Sequence, residues 1–362
     1  MHRAFALAGN PSAIHESGRA ARAVIDLARE QVAAVVNAPA TEVVFTSGGS
    51  EANALALWGA LQAAADTASP IRRLLFSAIE HDSVLRTADA VAERTGVECV
   101  AIPVDGEGVV DLDALEQQLN TPARSLVAVM AANNETGVVQ PIREVVSRAR
   151  AAGALLLVDA IQACGKAPVD FATLDADYLT LSAHKFGGPQ GVGALVVRDA
   201  APFAPLSCGR QEKGRRGGTE NVIGIAGFGA AAEAVAGEQI LQTAPLRARF
   251  EAMLRMRFPE AVIFGEKADR LPNTSNFAIP GVMAETAVIA LDLDGVMVSS
   301  GAACSSGKVQ QSHVLRAMGV PRELASCGLR VSFGWNSCDS DVDAALSALD
   351  ALVARIGERK AA

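Results

Sequence analysis

Apolar residues recur along this chain with helical and strand-like spacings in turn. In residues 18–37 they fall three or four positions apart, which predicts an amphipathic helix. A short run rich in β-branched and aromatic residues, 42–46, follows and ends in Ser-Gly-Gly-Ser, after which an Ala/Leu-rich helix is predicted. The same order of strand, turn and helix then repeats.

Near-continuous apolar runs mark the strands of this repeating part. The predicted strands are residues 74–78, 97–103, 126–131, 154–159, 178–182 and 192–198, and helices are predicted from about residue 82, at 111–119 and at 142–151. Such an alternation is typical of an α/β fold with a mostly parallel sheet that is covered on both faces. Ligands in these folds bind at the carboxyl ends of the strands.

The C-terminal part has a different pattern. Residues 219–250 are predicted to be mainly helical, and shorter strands mix with helices beyond them, at 262–264, 275–279, 296–299 and 329–333. We interpret this part as a second, smaller α/β domain. The predicted domains are 1–240 and 241–362, in line with a chain of 362 residues and roughly 150 residues per domain.

Composition excludes several classes of protein. With 50% hydrophobic and 20% charged residues, the chain can bury a large core and is neither disordered nor fibrous. Its net charge of −8 gives no general attraction to nucleic acid or to anionic lipid. No apolar run approaches the ~18 residues of a membrane helix, and the N-terminus has no signal-peptide pattern. We therefore expect a cytoplasmic protein that binds neither membrane nor nucleic acid.

The six cysteines are scattered without a CxxC pair, which argues against a disulfide framework or a structural zinc site. Cys304 lies at the centre of a small, polar stretch, Ser-Ser-Gly-Ala-Ala-Cys-Ser-Ser-Gly, which predicts a mobile loop. Because loop tips expose thiols, we expect Cys304 to be reactive. Three other cysteines have apolar or strand-like neighbours and are expected to be inert packing: Cys99, Cys164 and Cys327.

Two charged residues follow predicted strands closely. Lys185 ends the sequence Ser-Ala-His-Lys and precedes glycines that let the backbone pass close to a ligand. Such a lysine is either a surface residue in a turn or an amine that forms an imine with an aldehyde cofactor. Asp159, at the end of the run 154–159, is either a loop cap or the partner of a protonated pyridine nitrogen.

The stretch Thr-Ser-Gly-Gly-Ser-Glu at 46–51 stands between a predicted strand and a predicted helix. Its backbone N–H groups and the helix dipole suit an anion, whereas the alternative is a plain N-cap by Ser47 or Ser50. A phosphate loop, an acidic ring-nitrogen partner and a strand-end lysine together favour pyridoxal phosphate (PLP). Neither GxGxxG nor GxxxxGK[ST] is present, which disfavours a nucleotide.

Three further residues are candidates for the same site, each with a plainer alternative. His81 can stack on a pyridine ring and move protons, or it simply starts a helix. Asn134 can hydrogen-bond a cofactor's phenolic oxygen or a substrate carboxylate, or form an Asx-turn. Arg330, in an alternating strand, can clamp a carboxylate in bidentate fashion, or it is a solvent-facing charge on an edge strand.

Together these motifs resemble the class V, fold-type I PLP-dependent enzymes, and within them the NifS/IscS-like cysteine desulfurases. The resemblance runs over nearly the whole chain and rests on the order of EH at 80–81, NNETG at 133–137, VDAIQ at 158–162, SAHK at 182–185, GRRGGTEN at 214–221, SSGAACSSG at 299–307 and SHVLRAMG at 312–319. It implies a large PLP-binding domain with a seven-stranded, mostly parallel sheet flanked by helices. A smaller C-terminal α/β domain would carry the Cys304 loop, which is similar to the long mobile loop of the NifS/IscS subgroup.

The resemblance also implies a role for each matching residue. Lys185 would bind the aldehyde of PLP, Asp159 would pair with its pyridine nitrogen and His81 would stack on its ring. Cys304 would be the acceptor thiolate. The remaining contacts would be made to the phosphate by Gly49, Ser50, Ser182 and His184, to the neighbouring subunit's phosphate in a homodimer by Thr219, to the phenolic oxygen by Gln162, and to the substrate carboxylate by Asn134, which also touches the cofactor, and Arg330.

The implied activity is the removal of sulfur from L-cysteine, which gives L-alanine and a persulfide on Cys304. The sulfur would pass to a U-type iron–sulfur scaffold or to another sulfur-acceptor protein for thio-cofactor assembly. No intrinsic metal site is expected, but Cys304 is a candidate transient iron–sulfur ligand. The alternatives are a class V aminotransferase or selenocysteine lyase, and a catalytically weakened sulfur-relay protein.

Two features depart from the family pattern. Met1 lies eight residues before Gly9, whereas the family begins with a further strand and helix beside the active site. We expect this difference to weaken substrate binding or dimer packing, or to reflect a late start codon. The phosphate loop has Gly-Gly-Ser-Glu where Gly-Ala-Thr-Glu is commoner, and the serine keeps the hydroxyl.

Overall fold

The computed structural model describes residues 1–7, 9–235, 243–301 and 311–361, without the side chains of residues 2, 3 and 358–361. The chain divides into two compact units. The first comprises Met1–Ile102, Asp111–Ala131 and Pro141–Gly237, and the second comprises Pro103–Val110, Ala132–Gln140 and Glu238–Ala362. The domain boundary predicted between residues 240 and 241 lies outside the described residues and stays a prediction.

Within the described part of the chain, the first unit is built on a seven-stranded sheet. Its strands are β1 (Val43–Thr46), β2 (Arg73–Ser77), β3 (Glu98–Ile102), β4 (Ser125–Met130), β5 (Leu155–Asp159), β6 (Tyr178–Ser182) and β7 (Gly193–Val197). The order across the sheet is β1-β7-β6-β5-β4-β2-β3, and β7 runs antiparallel to both neighbours while the other pairs are parallel. The predicted α/β class with a mostly parallel sheet is confirmed.

Helices pack on this sheet and on one another. They are α1 (His2–Phe5), α2 (Glu16–Val35), α3 (Gly49–Ala64), α4 (Asp82–Thr95), α5 (Leu112–Leu119), α6 (Ile142–Ala151), α7 (Phe171–Leu174) and α8 (Val222–Val235). On α3, Leu55 and Leu57 are buried in the core, and Trp58 packs beside it with the Arg94 guanidinium over its ring. The Ala/Leu-rich sequence of α3 thus holds this helix close against the sheet.

The second unit, as far as it is described, contains a four-stranded antiparallel sheet of order β10-β11-β9-β8. Its elements are α9 (Thr243–Arg257), β8 (Val262–Ile263), β9 (Thr274–Ala278), α10 (Ala284–Leu293), β10 (Ser299–Ser300), α11 (His313–Ala317), α12 (Arg322–Ala325), β11 (Gly328–Ser332) and α13 (Asp339–Ala361). Phe250 packs edge to face on both Phe277 and Phe333 in its core. Trp335, between β11 and α13, is 73% exposed.

The strand predicted at 296–299 is wrong, because β10 begins only at Ser299. The residues before it form the C-terminal cap of α10. Gly295 has a φ of +80°, and the Val296 N–H donates to the Leu291 carbonyl. The apolar Val296 and Val298 pack on the core of the second unit without pairing in the sheet, so burial produced a strand-like pattern.

The helical stretch predicted at 219–250 consists of α8 and α9, with residues 236–242 between them outside the described ranges. Among the described helices, none combines the length and the hydropathy that a crossing of a bilayer requires.

Candidate active site

Asp159 is a buried carboxylate of the first unit that ends β5 and is 4% exposed. Its Oδ1 accepts from the backbone N–H of Ile161 at 2.9 Å, and its Oδ2 accepts from Asn53 Nδ2 at 2.8 Å. Burial raises the pKa of Asp159, while these two hydrogen bonds and the charges of His81 and Lys185 oppose the rise. Asp159 is therefore a buried, oriented carboxylate close to a lysine and a histidine.

Asn53, a buried residue of α3, connects Asp159 to two other elements. Its Oδ1 accepts from Thr180 Oγ1 at 2.7 Å, and its Nδ2 donates to Ser83 Oγ at 2.9 Å. Ser83 Oγ also lies 2.9 Å from His81 Nδ1. One amide thus joins β5, β6 and the start of α4.

His81 is the N-cap residue of α4. Its Nδ1 accepts from the backbone N–H of Ser83 at 3.1 Å, which satisfies a donor that the helix itself leaves unpaired. The interpretation of His81 as a helix start is confirmed. Its stacking on a cofactor ring remains a prediction, and the two roles are compatible because the cap uses only one ring nitrogen.

Lys185 lies in a short 3₁₀ turn, Ala183–Phe186, that follows β6 directly, and its side chain is half-buried. Beside it, His184 Nδ1 lies 3.0 Å from the buried Ser182 Oγ. Partial burial lowers the pKa of His184, and the nearby charges of Lys185 and Lys166 lower it further. These influences favour the neutral imidazole of His184, which can donate an N–H to an anion.

The N-terminus of α3 approaches the same strand ends. Gly48 is its N-cap, and no side chain of the described residues caps it, so the predicted alternative of a serine cap is wrong. A Cβ at Gly49 would lie 2.2 Å from Ile161 Cδ1 and 3.4 Å from Ser182 Cβ. Glycine therefore leaves room beside the end of the Ile161 side chain, and the N–H groups of a helix N-terminus bind phosphate well. Ser50, the next residue, is exposed.

Glu51 ties the GRRGGTEN loop to this helix end. Its Oε1 accepts from Arg216 Nε at 2.8 Å, and its Oε2 accepts from the backbone N–H of Ser47 at 2.7 Å. Partial burial favours a higher pKa for Glu51, but the hydrogen bonds from Arg216 and Ser47 outweigh it and lower the pKa. Thr219, in the same loop, is exposed.

Gln162 follows Asp159 by less than a helical turn. Lys166 Nζ donates to its Oε1 at 3.1 Å. Because an amide oxygen can only accept and an amide nitrogen can only donate, this bond makes Nε2 the donor end of the side chain for other partners.

Glu80 is a second buried acid near Asp159. It is 0% exposed, and its Oε1 accepts from the backbone N–H of Met130 at 2.7 Å. Burial raises the pKa of Glu80 well above its ordinary value, and the charge of Asp159 raises it further. Burial and the charge of Asp159 therefore favour the protonated form of Glu80.

Asn134 and Arg330 come together in the second unit. Arg330 Nη1 donates to the backbone carbonyl of Asn134 at 2.7 Å. Because β11 lies between β10 and β9, Arg330 is not on an edge strand and that alternative is wrong. The Asx-turn of this motif is formed by Asn133, whose Oδ1 accepts from the N–H groups of Glu135 at 2.8 Å and Thr136 at 3.0 Å.

The chain on either side of residues 302–310 meets at Glu135. Ser312 Oγ donates to Glu135 Oε2 at 2.5 Å, and a Cβ at Gly301 would lie 2.8 Å from the same oxygen. Cys304 itself lies outside the described residues, so its predicted reactivity stays a prediction.

The cysteines predicted to be packing are mostly buried. Cys164 and Cys327 are buried, as predicted, and Cys99 is half-buried. Burial raises the pKa of Cys164 to about 12, which keeps this thiol protonated and inert. Across the described ranges, no group of three or more His, Cys, Asp or Glu side chains is placed to hold a metal ion.

The described residues of the first unit can hold a planar, nitrogen-containing ring that bears an anion. Asp159 offers a carboxylate to a ring N–H, and the N-terminus of α3 with the Ser182–His184 pair offers donors to an anionic group. Lys185 supplies a nearby amine. This is the chemistry that PLP requires of its protein.

Comparison with known proteins identifies the family of this chain. The family model of aminotransferase class-V matches residues 3–345, and the chain belongs to this family. Within it, a cysteine desulfurase of Cereibacter sphaeroides is 43% identical over 348 residues, which cover 95% of this chain and 88% of the relative. The predicted resemblance to cysteine desulfurases is confirmed.

Solved structures show the same architecture. A NifS-like protein superposes with a TM-score of 0.87 at 34% identity, covering 96% of this chain and 92% of its own. SspA, solved in complex with cysteine, gives a TM-score of 0.78 at 29% identity, covering 92% of each chain. The predicted fold-type I architecture is thereby confirmed.

Sequence reasoning missed Asn53, Ser83 and Lys166 as parts of the site. Ser83 carried one usable signal, because a polar residue two positions after a helix-starting histidine is placed to bond its ring. Asn53 carried little, since its partners Asp159 and Thr180 are 106 and 127 positions away in the chain.

Proposed function

We propose that this chain is a PLP-dependent cysteine desulfurase that takes sulfur from L-cysteine, releases L-alanine and retains the sulfur as a persulfide on Cys304. One observation carries the proposal. The buried Asp159 carboxylate, held by Asn53 and Ile161 near Lys185, lies in a chain that is 43% identical to a cysteine desulfurase.

The residues present fit PLP at both ends of the cofactor. Asp159 is an anchored acceptor for a ring N–H, and the two N–H groups that it accepts offset part of the cost of burying its charge. At the other end, the N-terminus of α3 lies at Gly49, close to Ile161 and Ser182, and the N–H groups of a helix N-terminus suit a phosphate. When bound, PLP would supply a sink for the electron pair left at the substrate's α-carbon after loss of its proton.

Lys185 and His81 are the proton-handling residues of the proposal. The half-buried Lys185 amine takes the proton from the α-carbon of the substrate. His81 is held through Nδ1, so it exchanges protons at Nε2. Gln162, with its oxygen bonded to Lys166, presents an N–H donor to the phenolic oxygen of the cofactor.

Asn134 and Arg330 bind the carboxylate of the substrate. Arg330 Nη1 bonds the Asn134 carbonyl, which fixes the guanidinium beside Asn134. The planar fork of a guanidinium suits a bidentate clamp on a carboxylate. This assignment of L-cysteine rests on the relatives and on SspA, which was solved with cysteine.

Sulfur transfer uses the Cys304 thiolate as nucleophile. Its Sγ forms a bond with the substrate sulfur while the bond between that sulfur and the substrate β-carbon breaks. The electron pair of the broken bond stays with the substrate carbon and, with a proton, gives alanine. Ser312, which follows residues 302–310 in the chain, is held by Glu135.

We also propose a homodimer in which Thr219 reaches the phosphate of the neighbouring subunit, and delivery of sulfur to a U-type iron–sulfur scaffold or another acceptor protein. Thr219 is exposed, in a loop fixed by the Arg216–Glu51 pair. Mixed dimers of Lys185→Ala and Thr219→Ala subunits test the arrangement. One site of each mixed dimer then has both native residues, so activity above that of either parent is expected, and activity equal to their mean contradicts it.

The function itself is tested with the purified protein, PLP and L-cysteine. We expect a visible absorbance band that Lys185→Ala abolishes, and equal amounts of alanine and sulfide in the presence of a reductant. Cys304→Ala should lose sulfide release, whereas Cys338→Ala, which removes an exposed thiol elsewhere, should keep it. Full turnover by Cys304→Ala would favour an aminotransferase, and a wild type without turnover would favour the weakened sulfur-relay protein.

A further inference from the structure

The hydrogen bonds around Asn53 have a fixed direction. Oδ1 of the amide lies 2.7 Å from Thr180 Oγ1, and Nδ2 lies 2.8 Å from Asp159 Oδ2 and 2.9 Å from Ser83 Oγ. An amide oxygen only accepts and an amide nitrogen only donates, so the reversed amide would place its oxygen against the carboxylate. Asp159 and Thr180 together therefore determine how Asn53 is oriented.

Ser83 links the oriented Asn53 amide to His81 through hydrogen bonds. Because Ser83 Oγ accepts from Asn53, its own hydrogen goes to His81 Nδ1, 2.9 Å away. Nδ1 also accepts from the backbone N–H of Ser83 at 3.1 Å. Nδ1 therefore carries no hydrogen, and the neutral ring has its hydrogen on Nε2.

We infer that Asn53 is a positioning residue that joins Asp159 and His81 into one hydrogen-bonded network. The network keeps the carboxylate proposed for the ring nitrogen and the imidazole proposed to move protons in a fixed mutual arrangement. The inference rests on the proposed function, because that function assigns both groups to PLP. It adds a residue that itself touches neither substrate nor cofactor.

Burial strengthens the hydrogen bonds of this network. Asn53 and Thr180 are 0% exposed and Asp159 is 4% exposed, so water does not replace a lost bond. The hydrogen bond from Asn53 is also the largest influence that lowers the pKa of Asp159 against the rise caused by burial. Without Asn53, the carboxylate would hold a ring N–H less firmly.

The experiment follows the pH titration of the visible band of bound PLP in the full-length holoenzyme, with Asp159→Asn as reference. Asn53→Leu should move the midpoint in the same direction as Asp159→Asn, by a smaller amount, and weaken PLP binding roughly tenfold or more. Thr180→Val should produce a smaller shift in that direction, and Thr180→Ser, which keeps the hydroxyl, should restore the wild-type midpoint.

The link to His81 is tested by a double-mutant cycle. Ser83→Ala should lower cysteine turnover in the wild type, and should have little further effect in the Asn53→Leu background, because the link is already broken there. If Asn53→Leu fails to fold, the Thr180→Val and Thr180→Ser pair decides the first part.

Midpoints and PLP affinities that coincide with the wild type in Asn53→Leu, or in Thr180→Val, would overturn the inference, as would additive effects in the cycle. These outcomes are separable from failure of the proposed function. If the proposed function is wrong, the wild type itself would lack the visible band or the turnover of L-cysteine.

Discussion

Asn53 of the first unit and three asparagines of the second unit differ in how fully their buried side chains are hydrogen-bonded. In the first, Asn53 uses both ends of its side chain in bonds of 2.9 Å or less to three partners. In the second, among the described residues, Asn134, Asn273 and Asn276 each bury a side-chain oxygen that has no hydrogen-bond partner. A buried unpaired acceptor costs about 1–3 kcal/mol. Asn53, beside the residues proposed to hold the cofactor, is thus bonded at both ends, whereas Asn134, proposed to bind the substrate, keeps an unpaired oxygen. Other buried amides of the second unit, Asn133 and Gln140, are bonded.

The largest effect should come from substitution of Asp159. Asp159→Asn removes the charge that would pair with the ring nitrogen of PLP while keeping the size of the side chain. We expect cysteine turnover to fall about a hundredfold or more, as for the loss of one key electrostatic contact in an active site. Single-turnover measurement of alanine formation checks this. A loss below threefold would break the assignment of Asp159 and, with it, the contrast between the units.

Arg330→Leu probes the second unit. Loss of a charge-assisted clamp on the substrate carboxylate should raise the KM for L-cysteine roughly 10- to 100-fold, with a smaller change in kcat. Arg322→Leu, on an exposed arginine of α12, is the matched control and should leave KM unchanged. An equal rise in both variants would show that general charge, not the position of Arg330, is responsible.

A pair of asparagine substitutions compares the units directly. Asn53→Leu removes three short hydrogen bonds and should lower the free energy of unfolding by about 1–3 kcal/mol. Asn273→Leu removes one long contact to the Phe333 carbonyl, 3.4 Å, together with an unpaired oxygen, and should change stability by less than about 1 kcal/mol. Denaturant titration of both proteins without PLP measures the difference. Equal losses would contradict the comparison.

The smallest effect concerns pH and Glu80. Burial raises the pKa of Glu80 in the folded protein well above the ordinary 4.5. At pH values between the ordinary pKa and the raised pKa, the folded state therefore binds more protons than the unfolded chain. The free energy of unfolding therefore falls as pH rises through that window. Glu80→Gln keeps an acceptor for the Met130 N–H but has no such proton to lose.

Glu80→Gln should accordingly be more stable than the wild type at about pH 8, and the gain should shrink as pH is lowered towards 4.5. Urea midpoints of both proteins across this range provide the measurement. A constant difference at every pH would show that Glu80 does not titrate in the way its burial requires.

Local pattern was enough to find the ends of the strands and the residues that follow them. Asp159 and Lys185 were identified because buried parallel strands are continuous apolar runs, so a charge at the end of one is conspicuous. The same rule failed at Val296, where an apolar pair served packing after a helix cap rather than a sheet. Hydrophobicity records burial more directly than it records pairing.

The pattern of apolar and polar residues could not predict hydrogen bonds between residues that lie far apart in the chain. Asn53 looks like one more residue of an Ala/Leu-rich helix until Asp159 and Thr180 are brought beside it. The proposed roles of Cys304 as sulfur acceptor and of Thr219 at a second subunit depended on family resemblance. The small, polar sequence around Cys304 predicts only a reactive thiol, and no pattern within one chain indicates a contact with a second subunit.

The placement of the tryptophans gives each unit its own optical signal. The chain has 2 tryptophans, Trp58 in the first unit and the exposed Trp335 in the second. Trp58 lies on α3, the helix that carries both Gly49 and Asn53. In a Trp335→Phe protein, fluorescence therefore reports on the cofactor side alone, and in Trp58→Phe on the other unit alone, so local opening of either can be timed separately by stopped flow.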